Sequence, residues 1–261
     1  MTMKLAASDY DGTLCQADHI SRENIAGIAA WRAAGHAFGV ITGRDYGMLM
    51  PQLRHYGIAI DFAVCNNGAI LLDAAGHVVW QHCIPGEVLV RIAQLSVVEP
   101  SLHFAFSAAD QTYICHEREG SWIGREAKAW AFPLAAITES SIGTLPPIQQ
   151  FSLGFLTAEQ SLQVSGAINE SFGKVVHAYP NRGSVDITPL GVSKRQGIEE
   201  LVQYMKWKNP EIFVIGDETN DLPMIEAFHV FSVDSAREAI KARAKASFQS
   251  VGAMLQHFLQ T

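Results

Sequence analysis

The sequence predicts an α/β fold, a parallel sheet flanked by helices and interrupted by an α+β block, on three observations. Apolar runs of strand length alternate with helical periodicity over about the first eighty and the last seventy residues, the rhythm of parallel βαβ units. Acidic or polar residues directly follow several of these runs, where ligands gather at the carboxyl ends of strands in open sheets. Between the two stretches the pattern changes to period-two strands joined by short turns, the mark of an antiparallel sheet.

The bulk properties fit one large domain or two small ones. The chain has 261 residues, 48% hydrophobic and 17% charged, which describes a folded globular protein. A net charge of −7 and the lack of any Lys/Arg run exclude nucleic acid and acidic membranes as expected partners. No signal peptide or membrane span is expected, since the longest apolar stretches are strand-sized and Met-Thr-Met-Lys opens straight into a strand. Cys15, Cys65, Cys83 and Cys115 are scattered without a C-x-x-C pair, which favours a reducing, cytoplasmic setting. The ten His residues show no zinc-like spacing.

Taken in order, Leu5-Ala6-Ala7 is a buried strand that runs into Asp9-Tyr10-Asp11-Gly12-Thr13-Leu14. Ser21 caps a helix carrying Ile25, Ile28 and Ala29 on one face, and Gly35 stops it. Ala37 to Ile41 is a second strand, followed by Thr42-Gly43-Arg44 and a helix over 45–56. Phe62 to Cys65 is a third, ending at Asn66-Asn67-Gly68, and Ile70 to Trp80 reads as a hairpin turned at Ala75-Gly76. A helix near Pro85 then opens the inserted block. Its strands are Leu102–Phe106, Thr112–Cys115, Gln149–Leu156, Lys174–Tyr179 and Ser184–Thr188, with a helical segment over 119–130. Thr157 to Gln160 forms a capping box, and Pro180-Asn181-Arg182-Gly183 a turn. The α/β rhythm returns where Ser193 and Gln196 form a second capping box, placing Lys194 in the first turn of a helix. Ile212 to Ile215 is a strand ending at Gly216-Asp217-Glu218-Thr219-Asn220-Asp221, with Asp221 also placed to cap the helix at Leu222-Pro223. A strand over His229–Val233 and helices near 235–244 and 250–259 complete the chain. The domain boundaries expected are 1–82 for the first part of the core, 83–188 for the insertion and 189–261 for the rest of the core.

The chemistry is concentrated after strand ends. Asp9 and Asp11, at i and i+2 of an extended segment, point to the same side, and two close carboxylates need a cation, a shared proton or separate roles. One can be a nucleophile and the other a general acid and base. A calcium loop would end in Glu about twelve positions on, but that place is Ile20. Asp217, Glu218 and Asp221 are three carboxylates in five residues, and oxygen-only ligands of this kind suit a hard ion, Mg²⁺ above others. Lys194, which alone would read as a surface lysine, adds a full charge at a helix N-terminus, a place that attracts anions.

Together these residues resemble the haloacid dehalogenase (HAD) superfamily, in its phosphatase branch. The four motifs are Asp9 to Leu14, Thr42 in Thr42-Gly43-Arg44, Lys194, and Gly216 to Asp221, in order over essentially the whole chain. Asn66-Asn67-Gly68-Ala69, the insertion, and the approach Thr188 to Lys194 look like the Cof-like subfamily. The resemblance implies a Rossmann-like parallel sheet core with an inserted α+β cap that closes over the site. It implies hydrolysis of small phosphorylated metabolites through an aspartyl-phosphate, with Asp9 as nucleophile and Asp11 as acid and base. Mg²⁺ would be held by Asp9, Asp11 (through its carbonyl) and Asp217, with Asp221 behind them. Tyr10 (through its N–H), Thr42, Gly43, Lys194 and Asn220 would hold the phosphoryl group. Arg44, Asn66 and Arg182 are substrate candidates; Arg44 reads equally as a salt-bridge residue and Arg182 as a solvated turn residue. Phosphotransfer to a second metabolite, as in a phosphomutase, uses the same chemistry. A phospho-accepting receiver module has an Asp pair, a Thr and a Lys too, but is much shorter and lacks the cap. Glu218-Thr219 departs from relatives that carry Gly or Ser first.

Overall fold

The computed structural model of the chain describes residues 3–181 and 183–260. Chain order runs β1 (Lys4–Ser8), α1 (Arg22–Ala33), β2 (Ala37–Ile41), α2 (Tyr46–His55), β3 (Phe62–Cys65), β4 (Ile70–Asp73) and β5 (Val78–Gln81). It continues through α3 (Gly86–Ala93), β6 (His103–Ser107), β7 (Thr112–Cys115), α4 (Ile123–Trp130), β8 (Leu134–Ala136), β9 (Gln150–Gly154), α5 (Ala158–Phe172), β10 (Val176–Asn181) and β11 (Ser184–Pro189). It closes with α6 (Lys194–Tyr204), β12 (Glu211–Gly216), α7 (Leu222–Ile225), β13 (His229–Val233), α8 (Glu238–Lys241), β14 (Ala246–Phe248) and α9 (Val251–Leu259).

Two compact units result. The first joins the chain up to Thr42 with Gln52–Trp80 and the chain from Ser193 onward; the second is Gly43–Pro51 with Gln81–Val192. The second unit therefore takes in the start of α2 together with the inserted block. The physical reason is packing: Met48 sits in an apolar cluster with Ala105, Ile114, Ile123 and Phe132. Asp45 accepts hydrogen bonds from the Met48 N–H at 2.8 Å and from the Thr112 hydroxyl.

In the first unit an eight-stranded sheet has the order β14-β13-β12-β1-β2-β3-β4-β5. The six strands from β14 to β3 pair in parallel, and β4 is antiparallel to β3. Leu5, Ala6, Ala7, Val40, Ile41, Val64, Val214 and Ile215 are fully buried, as expected of strands covered on both faces. Ser21 caps α1, its hydroxyl accepting the Asn24 N–H at 3.1 Å, and Ser250 caps α9 in the same way through Ala253 at 3.0 Å.

The expected helix over 235–244 shrinks to the single turn α8, and the chain then adds β14 in parallel to β13. Ser232 and Ser247 hydroxyls meet at 2.7 Å and Phe248 packs edge-on to Phe231, so strand pairing outweighs local helix propensity there. The same holds in the second unit, where only Ile123–Trp130 of the 119–130 segment is helical. Ala131 turns left-handed (φ 52°), and β8 then pairs in parallel with β7.

The second unit's six-stranded sheet has the order β10-β11-β9-β6-β7-β8 and is antiparallel except for β7–β8. Phe104, Phe106, Phe151, Leu153, Val185 and Ile187 form one core with Val88, Ile92, Val164 and Ile168 of α3 and α5. Alternation sends Gln150, Ser152 and Asp186 to the other face. There Gln150 donates to Ser152 at 3.0 Å and Ser152 to Asp186 at 2.8 Å. The Thr157–Gln160 capping box is present in full.

Candidate active site

The site is built where the sheet changes direction. β1 lies between β12 and β2, so the chain leaves it toward one edge and returns on its other side, a topological switch point. Ser8 pairs with Ile215, so Asp9 and Gly216-Asp217 leave the sheet side by side, and the Asp9 N–H donates to the Ile215 carbonyl at 3.0 Å. The loop then folds on itself. Leu14 N–H donates to the Asp9 carbonyl at 3.2 Å, Cys15 N–H to that of Tyr10 at 2.8 Å, and Gly12 N–H to that of Cys15 at 2.9 Å. Gly12 is required at its place: φ is +86°, and a Cβ there would lie 2.5 Å from the Asp217 carboxylate. Tyr10 turns its ring into the core, its hydroxyl donating to Gln52 at 2.6 Å, so only its backbone can serve a ligand. Asp11 is exposed.

Three carboxylates converge. Oxygens of Asp9, Asp217 and Asp221 lie within 4.8 Å of one another, all buried. Lys194, 1% exposed, bridges two of them, with Nζ 2.6 Å from Asp9 Oδ1 and 2.6 Å from Asp221 Oδ1. Burial pushes the Asp9 carboxyl well above its usual range; Lys194 opposes this, and Asp221 and Asp217 add to it. Asp217 is raised by burial, with the Thr13 hydrogen bond opposing. Burial would lower Lys194, but Asp221 and Asp9 hold it above its ordinary value, so it is an ammonium. One ammonium does not balance three carboxylates, and burial, which chiefly raises Asp9 and Asp217, adds to the cost of keeping them ionised. An oxygen-only, buried, under-neutralised donor set fits a hard divalent cation such as Mg²⁺.

Asp221 does not cap α7 with its side chain, as the sequence led one to expect. Its Oδ2 accepts the Asp217 and Glu218 N–H groups at 2.9 and 3.0 Å, while Oδ1 accepts from Lys194. The carboxylate thus folds the Gly216–Asp221 loop around itself. Ser193 caps α6 by accepting the Gln196 N–H at 3.3 Å, but among the described residues the reciprocal half of the box is missing and Gln196 Oε1 has no hydrogen-bond partner. Glu218 turns away from the carboxylate cluster. It accepts from the Thr219 N–H at 2.8 Å and lies 2.8 Å from Arg237 Nε, which accounts for the extra charge in the fourth motif.

Thr42 and the Asn66–Gly68 turn close the other side. Thr42 is fully buried; its N–H donates to the Val64 carbonyl and its carbonyl accepts the Asn67 N–H, both at 2.9 Å. Asn220 Nδ2 donates to Asn67 Oδ1 at 3.0 Å, which ties the fourth motif to this turn. Gly68 (φ +104°) presses on the start of α6, where a Cβ would lie 2.1 Å from the Ser193 carbonyl oxygen. Asn66 is buried with φ 52°. Gly43 and Arg44 belong to the second unit, where the Gly43 carbonyl accepts from Gln150 at 2.9 Å and Arg44 pairs with Glu126. Of the two readings of Arg44, the structure realises the salt bridge. Arg182 lies outside the described residues.

Sequence reasoning missed several supporting residues. Thr13 donates to Asp217 Oδ1 at 2.7 Å, and Asn24 links the Leu14 carbonyl (3.0 Å) to the Gly252 N–H (2.8 Å), anchoring the first loop to α9. Asn67 holds Asn220. Thr13 could have been singled out as the hydroxyl inside the first motif; nothing in the sequence marks Asn24, whose partners lie 10 and 228 positions away.

Comparison with known proteins identifies the family. The family model of haloacid dehalogenase-like hydrolases matches residues 6–252. Among curated proteins, the chain is 24% identical to the 5-amino-6-(5-phospho-D-ribitylamino)uracil phosphatase YbjI of Escherichia coli K12, over 94% of this chain and 90% of that one. It is 26% identical to the pyridoxal phosphate phosphatase YbhA of the same organism, over 94% and 92%. A solved haloacid dehalogenase-like hydrolase from B. subtilis superposes with a TM-score of 0.82 at 20% identity, covering 98% of this chain and 99% of that one, and shares the fold. Sequence, sheet topology and the placement of four motifs converge: the chain belongs to the haloacid dehalogenase-like hydrolase family, as an enzyme of its phosphatase branch.

Proposed function

We propose that the chain is a Mg²⁺-dependent phosphatase that hydrolyses small phosphorylated metabolites through an aspartyl-phosphate on Asp9. The observation that carries this reading is the buried triad Asp9, Asp217 and Asp221 bridged by Lys194 at the sheet's switch point. The two E. coli relatives, named as phosphatases of small phosphorylated compounds, support the substrate class.

Asp9, the Asp11 carbonyl and Asp217 would hold Mg²⁺, with Asp221 orienting the loop that carries Asp217. Bound there, the ion supplies positive charge that lets an anionic nucleophile approach an anionic phosphate. Asp9 attacks phosphorus, the P–O bond to the organic group breaks, and Asp11 gives its proton to the departing oxygen. Asp11, now a carboxylate, takes a proton from a water that attacks the same phosphorus. The Asp9–phosphate bond breaks, and inorganic phosphate and free Asp9 result. Lys194, Thr42, Gly43, Asn220 and the Tyr10 N–H hold the phosphoryl oxygens, so catalysis is mainly positioning and electrostatics. The attacking water's proton restores Asp11 to its starting state, and the exposure of Asp11 beside buried Asp9 leaves it open to that water. The four free cysteines suit a reducing compartment such as the cytoplasm.

The test is phosphate release from p-nitrophenyl phosphate with EDTA, with Mg²⁺ restored, and with Asp9→Asn. We expect no turnover in EDTA, recovery with Mg²⁺, and loss to background in a folded Asp9→Asn variant. Wild-type turnover by Asp9→Asn would refute the assignment.

A further inference from the structure

Glu218 is a third carboxylate in the loop that carries Asp217 and Asp221, yet it stands apart from the cluster those two form with Asp9. Its Oε1 accepts the Thr219 N–H at 2.8 Å. Its Oε2 lies 2.8 Å from Arg237 Nε, an ion pair held by charge rather than by an aligned hydrogen bond. Arg237 belongs to the turn after β13. Gly216 pairs with Ser232 in the parallel β12–β13 ladder, so the loops that follow the two strands leave the sheet side by side.

Arg237 holds the loop a second time through its main chain, its N–H donating to the Asp217 carbonyl at 3.3 Å. The Glu218 N–H donates to Asp221 Oδ2 at 3.0 Å. The Asp217–Glu218 peptide is therefore gripped at its carbonyl by Arg237 and at its N–H by Asp221. A planar trans peptide cannot turn one end without the other. The Asp217 side chain branches from the main chain directly before that peptide, so the peptide's orientation sets where the carboxylate points. Any residue at 237 could supply the backbone bond; the ion pair is what the two side chains add.

We infer that Glu218 and Arg237 are a pair of positioning residues, which tie the Asp217 loop to the turn after β13 and keep Asp217 oriented for Mg²⁺. This inference rests on the Mg²⁺-dependent reading and extends it to two side chains outside the carboxylate triad. It makes a prediction that charge alone contradicts. By Coulomb's law, removing the Arg237 cation from the neighbourhood of a cation site should tighten Mg²⁺ binding, whereas removing the Glu218 anion should weaken it. Loss of a tether weakens binding in both cases.

Titration calorimetry with MgCl2 on the whole chain tests this without reference to turnover, and circular dichroism checks the fold. Arg237→Met removes the guanidinium and leaves the backbone N–H. Glu218→Gln keeps an oxygen for the Thr219 N–H and loses the charge. Groups that orient a metal ligand commonly change metal affinity by about 10–100-fold. The Arg237 side chain is 56% exposed, so solvent screens the pair and a smaller loss, about three- to fivefold, is expected for each variant. Arg237→Met made on top of Glu218→Gln should weaken binding no further, because the partner through which Arg237 acts is already gone. An Arg237→Met affinity equal to or tighter than wild type, or the same loss with and without Glu218→Gln, would overturn the inference while leaving the Mg²⁺ reading intact. No Mg²⁺ binding by folded wild type would overturn both together.

Discussion

Replacing Lys194 by Met removes the ammonium and keeps most of the apolar stem. The side chain is 1% exposed and bridges Asp9 and Asp221 at 2.6 Å each, so the variant leaves three carboxylates packed within 4.8 Å and no ammonium between them. Removing one partner of a buried ion pair costs about 3–5 kcal/mol. For a compact unit of this size each kcal/mol moves the melting temperature by about 2–4 °C, so a drop on the order of 10 °C is expected at about pH 8 in EDTA. The sign of the pH dependence follows from the carboxyls. The folded pKa values of Asp9 and Asp217, already raised chiefly by burial, rise further without Lys194. A raised acid is most stable when protonated, so the stability present at low pH is lost as pH climbs through the raised values. The deficit against wild type should therefore shrink toward about pH 5. Mg²⁺ should raise the melting temperature more in the variant than in wild type, since the triad now carries one more uncompensated charge. Thermal melts by circular dichroism at the two pH values, with EDTA and with Mg²⁺, measure all three effects. A shift below about 2 °C at pH 8, or an equal deficit at both pH values, would refute the electrostatic account of the site.

Two further predictions follow from geometry elsewhere. Gly12→Ala forces a Cβ into the space of the Asp217 carboxylate, 2.5 Å away, at a φ of +86°. Asp217 must then leave Thr13, and calorimetric titration should show Mg²⁺ affinity down by about 10–100-fold, the range typical for disturbed ligand support. Asp45, buried in the second unit, is pushed up to about 6 by desolvation despite its bonds to Thr112 and the Met48 N–H. Its stabilising contribution is present below about pH 4 and lost as pH rises through about 6, by at most about 3 kcal/mol. Asp45→Asn should therefore gain on wild type in urea-determined stability between about pH 4 and 7, and a constant difference across that window would contradict the assignment.

The sequence by itself determined the parallel core, the antiparallel insertion and the order of the four motifs. Those features are local: apolar runs, turn residues, and carboxylates that follow a strand directly. Asp9, Lys194 and Asp217 could be chosen because each sits next to a strand end or a helix start, and such ends face ligands in any open α/β sheet. Only the tertiary structure decided that Lys194 is shared between Asp9 and Asp221, 185 and 27 positions away, because no local pattern encodes which acids a lysine will meet. The same holds for Glu218, whose proximity to Arg237 takes it out of the carboxylate cluster, and for Asn24, whose partners come from both ends of the chain. Strand β14 and the short α8 were hidden because pairing with β13 overrode a local helical preference. Arg44 stands between the two cases. Its place after the second motif was visible from the start, but only folding brought Glu126 to it, since a salt bridge between distant residues is a property of packing and leaves no periodic trace in the chain.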